Sequence, residues 1–364
     1  MSKTMLFSPG PVMVKDNVRQ SLLHYDICHR SPEFEEMFRD TQAKILKLFN
    51  ADDSYYSLIV SGSGTSANET VLSSCFKPGE KALLIRNGEF GNRLKEILDK
   101  YAVPTVDCEF AWGEYPDLAK IEEAIKSNPD VKVVAMVFHE TSTCMINPVP
   151  GVGALCDKYS KWFYVDSVSA AAGQNIDVVA NHITFTSSVG GKCLGAFPGS
   201  AYVCAKKEVL EQITSEMGKN VYLNLGKHYA IAKAKSQTPN TPNVTLFWAL
   251  NVALSNIFDE GGETLAGRIA RYQKCATILR NGMKAMGLRF LLADELMSNT
   301  VTSVFLPEGK DLSKFISDLS DAGYTVYKGK GAFEAQGMFQ VANMGEIYPE
   351  DCEKFLDALK KAIA

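Results

Sequence analysis

A carboxylate and a lysine each follow a short predicted strand near the middle of the chain. Asp166 ends the apolar run Phe163–Val165, and a carboxylate at the end of a buried strand is costly unless a cation lies beside it. Lys192 lies in a loop of small residues, SSVGGKCLGAFPG, which follows a second short strand at Thr184–Thr186. Because so little bulk surrounds this lysine, it is poorly hydrated, and poor hydration lowers a lysine pKa and favours Schiff-base formation with a carbonyl compound.

Pyridoxal phosphate (PLP) requires two such groups. One is an aspartate that faces its pyridinium nitrogen, and the other is a lysine that forms an imine with it. Each residue alone has an ordinary interpretation, since a loop lysine is usually solvated and an aspartate after a strand often caps a helix. The pair, in this order and at this spacing, predicts a PLP site.

Three further loops carry groups suited to ligand binding, and each also follows a predicted strand. After Ser57–Val60 comes SGSGTSANE, a small-residue loop leading into a helix whose free N–H groups could cradle a phosphate. It is neither a Walker loop nor a dinucleotide fingerprint. After Ala82–Ile85, the segment NGEFGNR presents Phe90 either as a stacking face or as a core aromatic residue. After Val131–Phe138, the cluster HETST lies where open parallel sheets bind ligands.

Short buried strands alternate with helices from about residue 50 to 210, which predicts an α/β fold with a parallel, doubly wound sheet. The five loops would then converge on one edge of that sheet. A long apolar helix ends at Glu260-Gly-Gly262, and the residues beyond it alternate in a manner typical of an α+β lobe. We therefore predict a large domain of residues 15–260 and a small domain that combines residues 1–14 with residues 261–364.

Two proline-containing segments cannot form helix interiors. One is the rigid, extended entry segment Phe7–Pro11, and the other is the loop Gln237–Val244. Between them, Ser31 is suited to cap a helix that carries a proline in its first turn. His29 and Arg30 precede this cap. They are either a solvated pair or an anion site, since arginine is suited to bidentate contacts with phosphate or carboxylate.

The composition is ordinary for a globular protein, because the 364 residues are 46% hydrophobic and 22% charged, with a formal net charge of −4. No basic run stands out and no apolar stretch approaches the ~20 residues of a membrane helix, so we expect neither nucleic-acid nor membrane binding. The N-terminus has no signal-peptide core. The nine cysteines are odd in number and form no CxxC pair. This argues against a disulfide framework and a metal site and predicts a reducing, cytoplasmic location.

Along essentially its whole length, the sequence resembles the class V (fold-type I) PLP-dependent aminotransferases and, among them, the 2-aminoethylphosphonate:pyruvate branch. The resemblance is carried by FSPGP, CHRSPEF, SGSGTSANE, NGEFGNR, HETSTCMINP, YVDSVS, SSVGGKCLGAFPG, TPNTPNV, ADELMS and FQVANMGE. It implies a large domain with a mostly parallel sheet and a smaller C-terminal domain. It also implies transfer of an amino group between an aminoalkylphosphonate or small amino acid and a 2-oxo acid such as pyruvate.

The resemblance implies a role for each matching residue. Lys192 would form the Schiff base with PLP and shuttle the substrate proton, Asp166 would keep the pyridine nitrogen protonated, and Phe90 would stack on the ring. The other cofactor-binding positions would be Gly64, Thr65 and Ser66 at the 5′-phosphate, Thr143 or Ser142 at the 3-hydroxyl, and Ser188.

The resemblance further implies a homodimer with shared active sites, because Thr241 would reach the cofactor phosphate of the neighbouring subunit. The positions that match residues beside the substrate are Gly10, His29, Arg30 and Gln340.

Two positions depart from the family pattern. Gly191 stands where relatives carry Asn or Gln before the lysine, and Gln340 stands where relatives carry an arginine that grips the substrate's anionic group. Losing a charge-assisted, bidentate contact costs on the order of 2–4 kcal/mol unless another cation replaces it. The candidates for that replacement are Arg30, Lys328 and Lys330. Otherwise the substrate lacks the usual carboxylate or presents its anion elsewhere.

Other activities are also compatible with the scaffold, since one PLP fold hosts many reactions. These are an alanine/serine–glyoxylate type of transaminase, a lyase or decarboxylase, and a cysteine-desulfurase-like enzyme, which would need a mobile nucleophile such as Cys193. A protein that has lost its substrate site is disfavoured because Lys192 and Asp166 both remain. A NAD-dependent enzyme is disfavoured because no glycine fingerprint follows the first strand.

Overall fold

The computed structural model describes residues 4–364 of the chain. The first three residues of the predicted N-terminal segment lie outside the described part. The strands of the described part are β1 (Met5–Leu6), β2 (Tyr55–Gly62), β3 (Lys81–Arg86), β4 (Thr105–Glu109), β5 (Val131–Val137), β6 (His139–Glu140), β7 (Met145–Ile146), β8 (Trp162–Asp166), β9 (Phe185–Val189), β10 (Gly199–Lys206), β11 (Arg289–Phe290), β12 (Val301–Phe305), β13 (Tyr324–Thr325), β14 (Tyr327–Lys328) and β15 (Met338–Ala342).

The α-helices of the same residues are α1 (Asp16–Gln20), α2 (Pro32–Leu48), α3 (Gly64–Leu72), α4 (Glu89–Lys100), α5 (Leu118–Ser127), α6 (Val149–Lys158), α7 (Lys207–Leu210), α8 (Leu225–Lys235), α9 (Val244–Phe258), α10 (Leu265–Ala285), α11 (Leu312–Asp321), α12 (Ala332–Ala335) and α13 (Pro349–Ile363). Short 3₁₀ helices lie at Ser21–Leu23 and Asp294–Leu296.

Seven strands form the central sheet, in the order β2–β10–β9–β8–β5–β3–β4. The predicted mostly parallel, doubly wound sheet is confirmed, since the strand pairs from β9 to β4 are all parallel. Strand β10 is antiparallel to both of its neighbours and was not predicted. It returns along β9 after the loop that carries Lys192. That loop therefore lies at the same sheet edge as the other carboxyl ends.

Hydrophobic residues explain how this sheet is covered. The run VKVVAMV of β5 is almost entirely buried, as expected for a central strand with elements packed on both faces. Helix α2 packs on β2 and α9, and α3 packs on β9 and β10. The predicted cap of α2 is confirmed, because the Ser31 hydroxyl accepts a 3.4 Å hydrogen bond from the Phe34 amide.

A smaller four-stranded sheet, β11–β12–β15–β14, belongs to the C-terminal part of the chain. A hydrophobic cluster beneath it joins Phe315, Phe339 and Phe355 to Phe7 from the N-terminal segment. Strand β1 also pairs in parallel with β13. These contacts support the predicted grouping of residues 1–14 with 261–364, and the exact domain bounds stay a prediction.

Within residues 4–364, none of the helices combines the length and apolar composition that a membrane crossing requires.

Candidate active site

A cavity of about 300 Å³ opens at the carboxyl ends of the parallel strands. Its walls come from the loops after β2, β3, β8 and β9 and from the N-terminal segment. The lining residues are Gly10, Pro11, Ser63, Gly64, Thr65, Asn68, Phe90, Arg93, Asp166, Val168, Val189, Gly191, Lys192 and Pro198. Sequence-predicted residues from five separate segments thus meet in one place, as expected for ligand sites in open α/β sheets.

Lys192 reaches into this cavity from the loop between β9 and β10. Its Nζ donates a hydrogen bond to the carbonyl oxygen of Pro9. Burial lowers the pKa of Lys192, and the positive charges of Arg93 and Lys330 lower this pKa further, whereas the Asp166 carboxylate opposes them. The lysine therefore holds a proton less tightly than an exposed lysine, which is the condition for a nucleophilic amine.

The close approach of the N-terminal segment to this lysine depends on Gly10. Its φ is +130°, a conformation that favours glycine, and a Cβ built on it would lie 2.4 Å from Lys192 Nζ. Gly10 therefore shapes the space around the amine.

Asp166 is the last residue of β8 and is buried. Its carboxylate accepts a 2.6 Å hydrogen bond from Asn68 Nδ2 and a 2.8 Å bond from the Val168 amide. Burial raises the pKa of this carboxyl group, while these hydrogen bonds lower it. In the described part of the chain, no ion pair joins Asp166 to a cation. The buried carboxylate therefore faces the cavity without the positive partner that its burial favours.

The first turn of α3 forms another wall. Ser63 precedes the helix, and Gly64 and Thr65 line the cavity, so the first amides of the helix face a common space. A Cβ on Gly64 would lie 2.6 Å from Val168 Cγ1, so a larger residue at this position would clash with Val168. The Ser66 hydroxyl turns back to donate a 2.6 Å hydrogen bond to the Ser63 carbonyl oxygen and does not line the cavity.

Phe90 lies in the first turn of α4 and lines the cavity. Its orientation depends on Glu140, a member of the HETST cluster for which the sequence indicated no separate role. The buried Glu140 carboxylate accepts hydrogen bonds from the amides of Phe90 (3.3 Å) and Gly91 (3.0 Å). It also accepts one from the Ser142 hydroxyl. A negative charge at a helix N-terminus is stabilising, so Glu140 holds the beginning of α4 and, with it, Phe90.

Four of the predicted site residues are buried beside the cavity and do not line it. Ser142 donates to Glu140, and Thr143 donates to the Glu140 carbonyl oxygen at 3.3 Å. Ser188 donates to the Ser167 carbonyl oxygen at 3.2 Å. The fourth residue is Gln340, on β15.

The amide of Gln340 is engaged within the protein. Its Nε2 donates to the Thr141 carbonyl oxygen at 2.6 Å and to Ser303 Oγ at 3.0 Å. This side chain ties the small sheet to the HETST loop.

His29, Arg30 and Thr241 lie away from the cavity of their own chain. The guanidinium of Arg30 donates 2.7 Å hydrogen bonds to Gln237 Oε1 and to the Thr238 carbonyl oxygen. Partial burial and the Arg30 charge lower the pKa of His29. Thr241 is exposed. Arg30 thus joins the segment before α2 to the loop Gln237–Val244, which carries Thr241 at the surface.

Cys193 follows the lysine but is fully buried, and its thiol lies 3.3 Å from the Ser169 carbonyl oxygen. Burial raises the pKa of this thiol to about 11. A buried thiol that stays protonated is a poor nucleophile.

Comparisons with known proteins agree with this geometry. The family model described as aminotransferase class-V matches residues 7–333. A 2-aminoethylphosphonate–pyruvate transaminase of Salmonella paratyphi C is 31% identical, over 99% of this chain and 97% of its own length. An uncharacterized aminotransferase of Methanocaldococcus jannaschii is 33% identical, over 94% of this chain and 88% of its own length.

Among solved structures, the alanine–glyoxylate aminotransferase of Nostoc superposes with a TM-score of 0.92 at 25% identity, over all of this chain and 96% of its own. The fold and the family match extend over nearly the whole chain. The chain therefore belongs to the class V aminotransferases, a PLP-dependent family of transaminases with the type I fold.

Proposed function

We propose that the protein transfers an amino group between a small amine of the 2-aminoethylphosphonate type, or a small amino acid, and a 2-oxo acid such as pyruvate. The observation that carries this proposal is that Lys192 and Asp166 line one cavity, where burial lowers the pKa of the Lys192 amine. The full-length similarity to the Salmonella enzyme favours the phosphonate substrate.

The residues around the cavity fit PLP. Asp166 supplies a buried carboxylate for a pyridinium nitrogen, and the amides of Gly64 and Thr65 suit a phosphate. Phe90 supplies an aromatic face. When bound, PLP supplies a carbonyl group for the amine and an electron sink for the substrate's Cα.

The remaining steps belong to the protein's own side chains. Asp166, held by Asn68 and the Val168 amide, would keep the ring nitrogen protonated. Lys192 would hold the cofactor and would carry the substrate proton on its Nζ between Cα of the amine and C4′ of PLP. Its lowered pKa suits this exchange, because general bases work best when their pKa lies near the working pH.

We also propose that two copies of the chain share their active sites. Arg30 holds the loop that carries Thr241 at the surface, and Leu23 and Tyr25 nearby in sequence are 85% and 90% exposed. Large exposed apolar side chains favour burial against a partner. A second copy would bring Thr241 towards the neighbouring cofactor phosphate. The cytoplasmic location stays a prediction.

A desulfurase is the weaker alternative, because the Cys193 thiol is buried, does not line the cavity and has a raised pKa. An alanine–glyoxylate type of transaminase remains the main competitor, since the Nostoc enzyme shares the fold so closely.

A half-reaction screen tests the proposal. The protein is purified with PLP and mixed with single amines: 2-aminoethylphosphonate, alanine, serine, aspartate and phosphoethanolamine. The visible PLP band should fall and the pyridoxamine band should rise with 2-aminoethylphosphonate and with alanine. Conversion by alanine or serine alone would favour the glyoxylate type of enzyme. No conversion by any amine would overturn the transaminase proposal for these substrates.

A further inference from the structure

Two cations next to the cavity have no hydrogen-bonded carboxylate. Arg93 lines the cavity, and its Cζ lies 4.8 Å from the centroid of the Phe90 ring. Lys330 Nζ lies 5.8 Å from the same centroid. The carboxylate nearest to Arg93 is Glu89, whose Oε1 is 3.9 Å from Nη2, too far for a hydrogen bond. Among the residues that the structure describes, Lys330 has no ion-pair partner.

These two charges act on the reactive lysine. After burial, which is the main cause, both positive charges lower the pKa of Lys192 further. Lys192, Arg93 and Lys330 bring three positive charges to a site whose wall carries one carboxylate, Asp166, and this excess of positive charge suits an anion.

The other candidates for anion binding are already engaged. Gln340 donates its amide to Thr141 and Ser303, and Arg30 donates to the loop at Gln237. Lys328 lies 3.6 Å from the Glu334 carboxylate and 3.1 Å from Ser313 Oγ. These three side chains do not line the cavity; Lys330 does not line it either, but its Nζ lies 5.8 Å from the ring centroid of Phe90, which does. Arg93 and Lys330 therefore remain as the cations available to a substrate.

The loop that carries Lys330 has a defined shape. Gly329 donates a 2.7 Å backbone hydrogen bond to Met338. Gly331 has a φ of +54°, and a Cβ on it would lie 3.1 Å from the Trp112 ring. Glycine on both sides keeps the lysine between β14 and α12, beside Phe90.

We propose that Arg93 and Lys330 form the subsite for the substrate's anionic group and that they select a tetrahedral dianion, a phosphonate or a phosphate monoester, over a monoanion. A guanidinium can bind two oxygens of such a group and an ammonium can bind the third. This inference rests on the proposed function, because it names the anion of the amine that the transaminase accepts.

Unreactive anions of matched chain length test the subsite without turnover. Propylphosphonate, propanesulfonate and butanoate are titrated calorimetrically into the PLP-loaded protein. Propylphosphonate should bind tightest. Arg93→Gln and Lys330→Gln should each weaken its binding by about ten- to hundredfold, as expected for loss of one charge-assisted contact, and should weaken butanoate binding much less.

Control variants carry the same loss of charge outside the cavity. Lys95→Gln lies on the same helix as Arg93, where Lys95 pairs with the exposed Asp99, and Lys328→Gln lies two residues from Lys330. Both should bind propylphosphonate like the parent. Arg93→Lys keeps the positive charge but loses the bidentate guanidinium, so its affinity for propylphosphonate should lie between those of the parent and Arg93→Gln. Equal losses in the control variants, or no loss in either glutamine variant, would overturn the subsite.

Amine substrates then identify the source of the dianion. Faster conversion of 2-aminoethylphosphonate than of phosphoethanolamine indicates a phosphonate, and the reverse indicates a phosphate monoester. Preference for taurine or β-alanine over both would overturn the selection of a dianion. If no amine is converted while the glutamine variants still lose propylphosphonate binding, the proposed function fails and the subsite stands. If the parent protein converts these amines while the glutamine variants bind propylphosphonate normally, the proposed function stands and the subsite fails.

Discussion

Asn68 donates a 2.6 Å hydrogen bond to the Asp166 carboxylate, and its amide is oriented from the other side. The hydroxyl groups of Tyr164 and Ser187 donate to Asn68 Oδ1 at 2.9 and 2.7 Å. The amide nitrogen must therefore face Asp166. This buried network keeps the carboxylate in place even though its burial disfavours the charged form.

Removing this support should weaken cofactor binding. In Asn68→Ala, Asp166 loses a hydrogen bond to a charged group, worth about 1.5–3 kcal/mol. The affinity of the apoprotein for PLP should fall by about ten- to hundredfold, measured by titration of the visible absorbance. Asn17→Ala is the control, since the Asn17 side chain exchanges hydrogen bonds with Asn256 at the surface. Unchanged PLP affinity in Asn68→Ala would remove Asn68 from the positioning network.

Gly10 should be intolerant of any side chain. In Gly10→Ala, the new methyl group meets Lys192 Nζ and the backbone is also strained, whereas Gly79→Ala adds strain alone because nothing lies within 4 Å of its Cβ. Both variants should lose about 1–3 kcal/mol of stability in urea unfolding. Only Gly10→Ala should also lose the visible band of bound PLP. An intact band in Gly10→Ala would show that Lys192 binds PLP without the space that Gly10 leaves beside its Nζ.

Glu140 should matter for stability and for the site at once. In Glu140→Ala, the amides of Phe90 and Gly91 lose their buried acceptor, and each unsatisfied group costs about 1–3 kcal/mol. The midpoint of urea unfolding should fall, and Trp or Tyr fluorescence should report the change. Glu123→Ala, on an exposed part of α5, is the control. Equal stability of the two variants would contradict the role of Glu140 at α4.

Acid should destabilise the protein through buried histidine. Burial lowers the pKa of His228 to about 4, below its ordinary value of about 6.5. The unfolded chain therefore binds this proton first as the pH falls. The stabilisation is complete above pH ~6.5 and is lost towards the folded pKa. His228→Gln should reduce the loss of unfolding free energy between pH 7.5 and pH 5 by about 2 kcal/mol. An identical pH profile for variant and parent would refute this assignment.

Sequence reasoning located the residues whose chemistry is unusual for their surroundings. Asp166 and Lys192 stand out as charges after short strands, Gly64 and Thr65 as part of a small-residue loop before a helix, and Phe90 as an aromatic ring after a strand. All five line the cavity.

The supporting residues could not be found in the same way. Asn68 and Glu140 act through partners distant in sequence, Asp166 and the amides of α4, and only the fold brings those partners close. Residue type also does not give side-chain direction: the Gln340 amide and the Ser142 hydroxyl point to internal acceptors instead of the cavity. Strand β10 was missed because an antiparallel return inside a parallel sheet leaves no clear periodic pattern.

The most direct test of the central claim is to locate the bound cofactor. The PLP-loaded protein is reduced with borohydride, digested and mapped by mass spectrometry, with Lys192→Ala treated in parallel. The pyridoxyl group should be attached to the peptide that contains Lys192, and the variant should carry none. Attachment to another lysine in the parent protein, or equal labelling of the variant, would contradict this assignment.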